Sequence, residues 1–176
     1  MSISRWLNSL REHVQQPAVS SETDTVRKIV GKLDQMPQEE ARFIAAFAYI
    51  LSRVARADMN ISAQEVAEME RRVMAVGGLT EDQAILVVQI AKTQTTLFGG
   101  TENFLVTHEF SEMATREQKL ALLRCLFAIA AADNEISTVE DREIRLINDE
   151  LQLTHMDFIN ARLEFKKYLS VLRDEA

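Results

Sequence analysis

The sequence predicts an all-α fold, an eight- to nine-helix bundle, and three observations lead to this prediction. The 176 residues include only five glycines and two prolines, so few positions can break a helix or support the tight turns that strands need. Hydrophobic residues make up 47% of the chain, enough for a sizeable core, and they recur at helical spacing. Ser or Thr followed three residues later by Glu, Gln or Asp marks five helix starts: Ser62–Glu65, Thr80–Gln83, Thr115–Gln118, Ser137–Glu140 and Thr154–Asp157.

The first predicted element is an N-terminal amphipathic helix. Trp6, Leu7 and Leu10 fall on one face of it, and a polar segment around Pro17 then interrupts the pattern. We therefore predict a helix and linker over residues 1–22 and one helical domain over residues 23–176. These three side chains are predicted to bind a protein partner, the second subunit of a homodimer or, less well because the helix carries little positive charge, a membrane surface. Packing against the protein's own core is the alternative.

Two later helices are predicted to form the centre of the domain. The segments Glu39–Ala57 and Arg116–Ala132 are apolar around most of their circumference, and helices of that kind are normally buried. We expect the more amphipathic helices to wrap around them. Gly77-Gly78 and Gly99-Gly100 supply the left-handed residue that commonly ends a helix.

The chain contains an internal repeat. The segment Ala57–Glu65, ADMNISAQE, recurs as Ala132–Glu140, ADNEISTVE, 75 positions later. The same offset aligns the two central helices, and the Leu-Thr pair at Leu79 recurs at Leu153. We predict two similar halves, over about residues 39–98 and 115–169, related by a pseudo-two-fold axis.

The repeated corner, Ala-Asp-x-x-Ile-Ser-x-x-Glu after a buried helix, resembles the tellurite-resistance TerB-like family. It is also similar to a domain of a membrane-anchored DnaJ-type co-chaperone, and the resemblance covers roughly residues 39–169. It implies an all-helical bundle that serves stress-response or membrane complexes rather than catalysis, and acidic residues that bind a divalent metal. Carried onto this chain, the implied ligands are Asp58, Glu65, Asp133 and Glu140.

This chain departs from the family pattern at one position in each corner. The family usually has Gly directly after the Asp, whereas Met59 and Asn134 stand there in this chain. Asn tolerates a left-handed backbone and Met does so poorly. The first corner therefore departs further from the family than the second, and Asp58 is the less secure of the two aspartates.

Four carboxylates, with Asn60 and Glu135 as secondary candidates, form an oxygen-rich ligand set if the two corners meet. Such a set suits Ca²⁺, Mg²⁺ or Mn²⁺. Zn²⁺ fits less well, because no His or Cys accompanies the motif. The alternative interpretation is structural: Glu65 and Glu140 complete capping boxes, and the two aspartates accept amide hydrogens from the following turn.

Charge and motif content exclude several functions. The net charge is −7 and no basic cluster offsets it, so nucleic acid is not an expected partner. The segment Asp133–Glu150 holds seven acids against two arginines, which favours a cation or a basic surface. No nucleophile motif or phosphate-binding loop is present, so we expect neither an enzyme nor a small-molecule substrate.

Cysteine usage and hydropathy set the expected location. Cys125 is the only cysteine, so the chain has no disulfide framework and nothing requires an oxidising compartment. The longest near-apolar run, Leu120–Ala132, is too short to span a bilayer, and the N-terminus lacks the apolar stretch of a signal peptide. We predict a cytoplasmic protein.

The leading hypothesis from the sequence is a non-catalytic, TerB-like interaction and stress-response module tuned by a divalent cation. A metal-dependent hydrolase that uses the same carboxylates is the alternative. A structural adaptor that docks through the N-terminal helix is the second alternative.

Overall fold

The computed structural model describes residues 3–14, 21–54, 63–94 and 103–172. Within these ranges the chain forms nine α-helices and no β-strand, which confirms the all-α prediction. The helices are α1 (Ile3–Val14), α2 (Ser21–Asp34), α3 (Gln38–Val54), α4 (Ala63–Gly77), α5 (Glu81–Gln94), α6 (Asn103–Met113), α7 (Arg116–Ala130), α8 (Thr138–Glu150) and α9 (His155–Glu164). Short 3₁₀ helices follow α7 and α9: η1 (Ala131–Asp133), η2 (Lys166–Tyr168) and η3 (Ser170–Leu172).

Helices α3 and α7 form the centre of the core, as their apolar circumference predicts. Every residue from Ile44 to Leu51 is buried, and so is every residue from Cys125 to Ala131. Burial away from water disfavours the thiolate form and raises the pKa of Cys125 to about 12. Cys125 is therefore a small core side chain rather than a reactive thiol.

The two central helices run side by side in the same direction. Their first turns line one surface cleft, to which α3 contributes Phe43 and α7 contributes Gln118. Halfway along, a Cβ atom at Gly77 would lie 3.2 Å from Cys125 Sγ and 3.5 Å from Phe47 Cζ, so the middles of both helices meet at one point. Both helices therefore end at the same end of the bundle.

Equivalent helices of the two halves make equivalent contacts. Helix α4 packs against α7 of the other half, as α8 packs against α3. Within the halves, α5 packs against α3 and α9 packs against α7. These matched contacts agree with two similar halves, while the pseudo-two-fold axis itself stays a prediction.

Helix α1 lies against α2 and α3. Ile3 is 1% exposed and Leu7 is 8% exposed, and the Ile3 amide donates a hydrogen bond of 2.8 Å to Glu109 Oε2. Leu7, a predicted partner-binding residue, therefore lies in the core, whereas the side chains of Trp6 and Leu10 lie outside the described part of the chain. Partner binding through Leu7 would require α1 to leave its present position, and partner binding through Trp6 and Leu10 stays a prediction.

Four of the five predicted capping boxes lie within the described residues, and all four form. The N-cap residues are Thr80, Thr115, Ser137 and Thr154. Ser62, the fifth, lies outside the described residues. The sequence signature therefore located these helix starts because a capping box satisfies two backbone amides with side chains only three residues apart.

Helices α4 and α8 end in the same left-handed turn with different residues. Gly78 has φ +66° and Gln152, its counterpart in the repeat, has φ +58°. The Gln152 amide donates to Asp149 O at 3.0 Å and the Leu153 amide donates to Asn148 O at 3.1 Å, which closes the end of α8. A left-handed conformation costs nothing at glycine and is unfavourable for a residue with a Cβ.

We expect Gln152→Gly to raise the free energy of unfolding by roughly 0.5–1 kcal/mol and Gly78→Ala to lower it by about 1 kcal/mol. Nothing lies within 4 Å of a Cβ at Gly78, so backbone strain alone sets the second value. Urea denaturation of both variants measures the effects. Equal stability of Gly78→Ala and the parent protein would show that this turn carries no strain.

Candidate metal site

The second acidic corner connects α7 to α8 through η1. Asn134 follows with φ +68° and its amide donates to Ala131 O at 3.1 Å. The left-handed conformation expected for Asn134 is thus present. Ser137 then caps α8, so Asp133 and Glu140 stand on either side of one short corner.

Backbone hydrogen bonds join this corner to the C-terminal segment of the chain. The Ile136 amide donates to Tyr168 O at 2.6 Å, and the Ser170 amide donates to Ile136 O at 3.0 Å. Ile136 and Leu169, which form this isolated parallel bridge, are 1% and 2% exposed. The backbone between Asp133 and Glu140 is therefore held from both helices and from the C-terminal segment.

Glu140 caps α8 with one of its two carboxylate oxygens. Oε2 accepts a bond of 2.9 Å from the Ser137 amide and one of 2.7 Å from the Ser137 hydroxyl. Oε1 accepts no hydrogen bond from another described residue. The capping interpretation is therefore correct for Glu140, and it leaves an oxygen of the same side chain for a second role.

The other predicted ligands are only partly covered by the described residues. Asp133 lies in η1 and Glu65 lies in the first turn of α4, but their side chains are outside the described part, as are Asp58 and Asn60 altogether. Glu135, a secondary candidate, is exposed. Among the side chains that are described, no three His, Cys, Asp or Glu are gathered so as to hold a metal ion. The ligand set stays a prediction.

The first turn of α4 approaches the second corner. Helix α4 runs antiparallel to α7, because Gly77 lies beside Cys125 while Arg72 Nη1, further back in α4, donates to Ala128 O at 2.5 Å. Continuing back along α4 leads to η1, which α4 contacts directly. The backbone of Glu65, from the first half, is thereby directed toward Asp133 of the second half.

Helix α8 has the matching orientation against α3. An ion pair joins Arg42, early in α3, to Glu109, late in α6, and the Ser111 hydroxyl donates to Leu151 O just after α8. Helix α8 therefore runs antiparallel to α3, and its last residue, Glu150, reaches Arg53 near the end of α3. The start of α8, with Glu140, lies toward the residues that follow α3.

Three acids of the acidic segment 133–150 are neutralised internally. Arg53 pairs with Glu143 at 2.9 Å and with Glu150 at 2.5 Å, and Arg162 pairs with Asp141 at 2.7 Å. The expectation that this segment attracts an external cation or a basic surface therefore applies to the acids of the corner and to Asp149, and not to the whole segment. Sequence reasoning missed the Arg53 pairs, although a single arginine near the end of an apolar helix signals a buried partner.

No described helix is long and apolar enough to cross a membrane.

Comparison with known proteins gives one match. The model of the family described as Tellurite resistance protein TerB matches residues 43–163, more than two thirds of the chain. None of the curated proteins and none of the solved structures compared with the chain matches it. The matched region contains both corners and all four predicted ligands.

Proposed function

The chain belongs to the family of the tellurite resistance protein TerB, and on that premise we propose that it is a non-catalytic stress-response module that holds one divalent cation between its two acidic corners. The observation that carries this proposal is the contact of α4 with η1. It supports one shared site rather than two, because it brings the start of α4, where Glu65 lies, toward the η1 helix that contains Asp133.

The charge of Glu140 supports a role beyond capping. In the capping box that starts α7, the uncharged Gln118 side chain accepts a hydrogen bond of 2.8 Å from the Thr115 amide. A helix cap in this protein therefore does not need a negative charge. In the box that starts α9, the charge of Asp157 is matched by Arg116 at 2.6 Å. No described residue forms an ion pair with Glu140, so its negative charge remains for a cation.

The surroundings of Asp157 show what an internally satisfied capping carboxylate looks like in this protein. Hydrogen bonds from the Thr154 amide and hydroxyl, helped by the Arg116 charge, hold the pKa of Asp157 below its usual range. We therefore assign Asp157 a purely structural role in the bundle and Glu140 a role as a ligand in the proposed cation site.

Oxygen donors determine which cation fits. Carboxylates and backbone carbonyls suit Ca²⁺, Mg²⁺ or Mn²⁺. Cys125, the chain's only cysteine, is buried in the core, which disfavours a thiolate-ligated Zn²⁺. A free, buried cysteine also suits the cytoplasm, where we place the module.

Calorimetric titration of the metal-stripped protein with Ca²⁺, Mg²⁺ and Mn²⁺ tests the proposal. We expect saturable binding that Asp133→Ala weakens at least about tenfold, because loss of a ligand should cost no less than loss of a residue that supports one. Glu117→Gln is the matched control, since Glu117 is an exposed acid in the first turn of α7, at the opposite end of the bundle.

Several outcomes would contradict the proposal or favour one of its alternatives. If no cation binds, or if Asp133→Ala and Glu117→Gln bind as the parent protein does, the corners are only capping structures. Turnover of simple phosphate or peptide substrates that stops in Glu140→Gln would replace the non-catalytic module with the metal-dependent hydrolase. Association with a partner that persists without cation but requires residues 1–16 would favour the adaptor.

A further inference from the structure

An apolar strip lies on the outer surface where α6 and α8 run side by side. Its α6 side contains Phe104, 56% exposed, whose ring stacks on His108 with centroids 5.8 Å apart. Its α8 side contains Val139 and Leu146, which are 76% and 49% exposed. Large exposed apolar side chains gathered in one place mark a contact surface more often than isolated ones do.

Hydrogen bonds between the two helices show that these side chains share one edge. On α6, Thr107 accepts a bond from Arg53, and Ser111 donates to Leu151 O. Phe104 lies one turn before Thr107, and His108 lies one turn before Ser111. Phe104 and His108 therefore lie on the same edge of α6 as these two residues.

The same reasoning applies to α8. The side chains of Glu143 and Glu150 both form ion pairs with the buried Arg53. Leu146 lies one turn after Glu143 and one turn before Glu150, and Val139 lies one turn before Glu143. The two helices thus present their exposed apolar residues toward a common groove above Arg53.

The charges on this strip have opposite signs on the two sides of Leu146. Arg142 is exposed one turn before Leu146, and it makes no hydrogen bond or ion pair with another described residue. Glu112, at the end of α6, and Asp149, at the end of α8, are exposed at the other end. Because α6 and α8 run parallel, the strip has Val139 at its beginning, then the basic Arg142, then Phe104 and Leu146, and its acidic residues at the end.

We propose that this strip is a homodimer interface, occupied by the same strip of a second copy of this chain. A two-fold axis near Leu146 runs the second strip antiparallel to the first. Arg142 of each protomer then lies opposite Asp149 of the partner subunit. Two-fold contacts require such self-complementarity, and arginine beside aromatic and aliphatic groups is typical of interface centres.

A second copy fits this surface better than an unrelated partner. A purely acidic partner helix would meet Arg142 but would be repelled by Glu112 and Asp149. A basic partner helix would have the reverse difficulty. The partner must carry its basic and acidic residues in the opposite order. A second copy of the strip, placed antiparallel to the first, has that order.

Analytical ultracentrifugation of the full chain across a concentration series tests the proposal. We expect a reversible monomer–dimer equilibrium that weakens as salt is added, because exposed ion pairs are screened. Leu146→Asp should raise the dissociation constant by at least about tenfold. Leu163→Asp is the matched control, because Leu163 is 57% exposed on α9, away from the strip, and should leave the equilibrium unchanged.

A charge exchange tests the antiparallel pairing itself and does not depend on how well Leu146→Asp folds. Arg142→Glu and Asp149→Arg should each weaken the dimer, and the double variant should restore it, since each new Glu would face a new Arg of the other protomer. Circular dichroism checks that every variant is folded. A monomer at every concentration, equal weakening by Leu163→Asp, or no restoration in the double variant would overturn the proposal.

Discussion

Replacement of Arg53 with methionine should lower the free energy of unfolding by about 3–5 kcal/mol. The Arg53 side chain is 2% exposed and lies 2.9 Å from Glu143 and 2.5 Å from Glu150. Its Nη1 also donates to Thr107 Oγ1 at 2.7 Å. Methionine would fill similar space but leave Glu150, whose side chain is 9% exposed, without a counter-ion, and a buried unpaired carboxylate is costly. Urea denaturation followed by circular dichroism measures the loss.

Two further variants separate the effect of buried charge from the loss of a side chain. Arg124 and Glu164 are 46% and 50% exposed, so Arg124→Met should cost less than about 1 kcal/mol. Adding Glu143→Gln and Glu150→Gln to Arg53→Met should return part of the lost stability, because it removes the unpaired charges. If Arg53→Met costs no more than Arg124→Met, this network does not hold α3, α6 and α8 together.

Replacement of Phe47 with alanine should lower the free energy of unfolding by roughly 3–5 kcal/mol. Phe47 is 0% exposed, and its ring centroid lies 6.0 Å from that of Phe43 and 6.1 Å from that of Phe110. It also faces the position beside Gly77 where α4 meets both central helices. The substitution opens a cavity at this junction, and the rigid helices around it can close it only in part.

The comparison for Phe47→Ala is a substitution of an exposed apolar residue. Met156 is 59% exposed on α9, so Met156→Ala should change stability by less than about 0.5 kcal/mol. Phe47→Leu, which keeps most of the volume, should cost less than Phe47→Ala. Similar losses for Phe47→Ala and Met156→Ala would place the core of the bundle elsewhere.

Local sequence signals predicted most of the fold. Capping boxes such as Thr115–Gln118 and Ser137–Glu140 act within one turn, so their residues are visible in the sequence without any tertiary information. The repeat added the prediction of two similar halves, because two copies of one motif at a fixed offset imply two copies of one structural unit.

Features that depend on distant residues were not predictable in the same way. The sequence shows Arg53 as a helix-end charge, whereas its partners Glu143 and Glu150 lie in the other half of the chain. Gln152 ends α8 in a left-handed turn although it is neither Gly nor Asn, because tertiary packing of the surrounding residues outweighs its backbone preference. The burial of Leu7 likewise depends on contacts made across the bundle.

The candidate site combines both kinds of information. Sequence reasoning supplied the four carboxylates and the two corners, and it also supplied the capping alternative that Glu140 adopts with one oxygen. It gave no direct evidence that the corners meet. The antiparallel packing of α4 on α7, in which Arg72 binds the Ala128 carbonyl and α4 reaches η1, supports that proposal.

The most direct test of the central claim, that one cation is held by both halves, is to count bound ions. Electron paramagnetic resonance can count Mn²⁺ bound to the metal-stripped parent protein, to Glu65→Gln and to Glu140→Gln. Glutamine should keep the cap that Glu140 forms and the cap predicted for Glu65, as Gln118 does in α7. The account predicts one ion per chain in the parent and loss of that ion in either variant, although the two residues lie in different halves. Two ions per chain, each lost in only one of the variants, or no saturable binding at all, would contradict it.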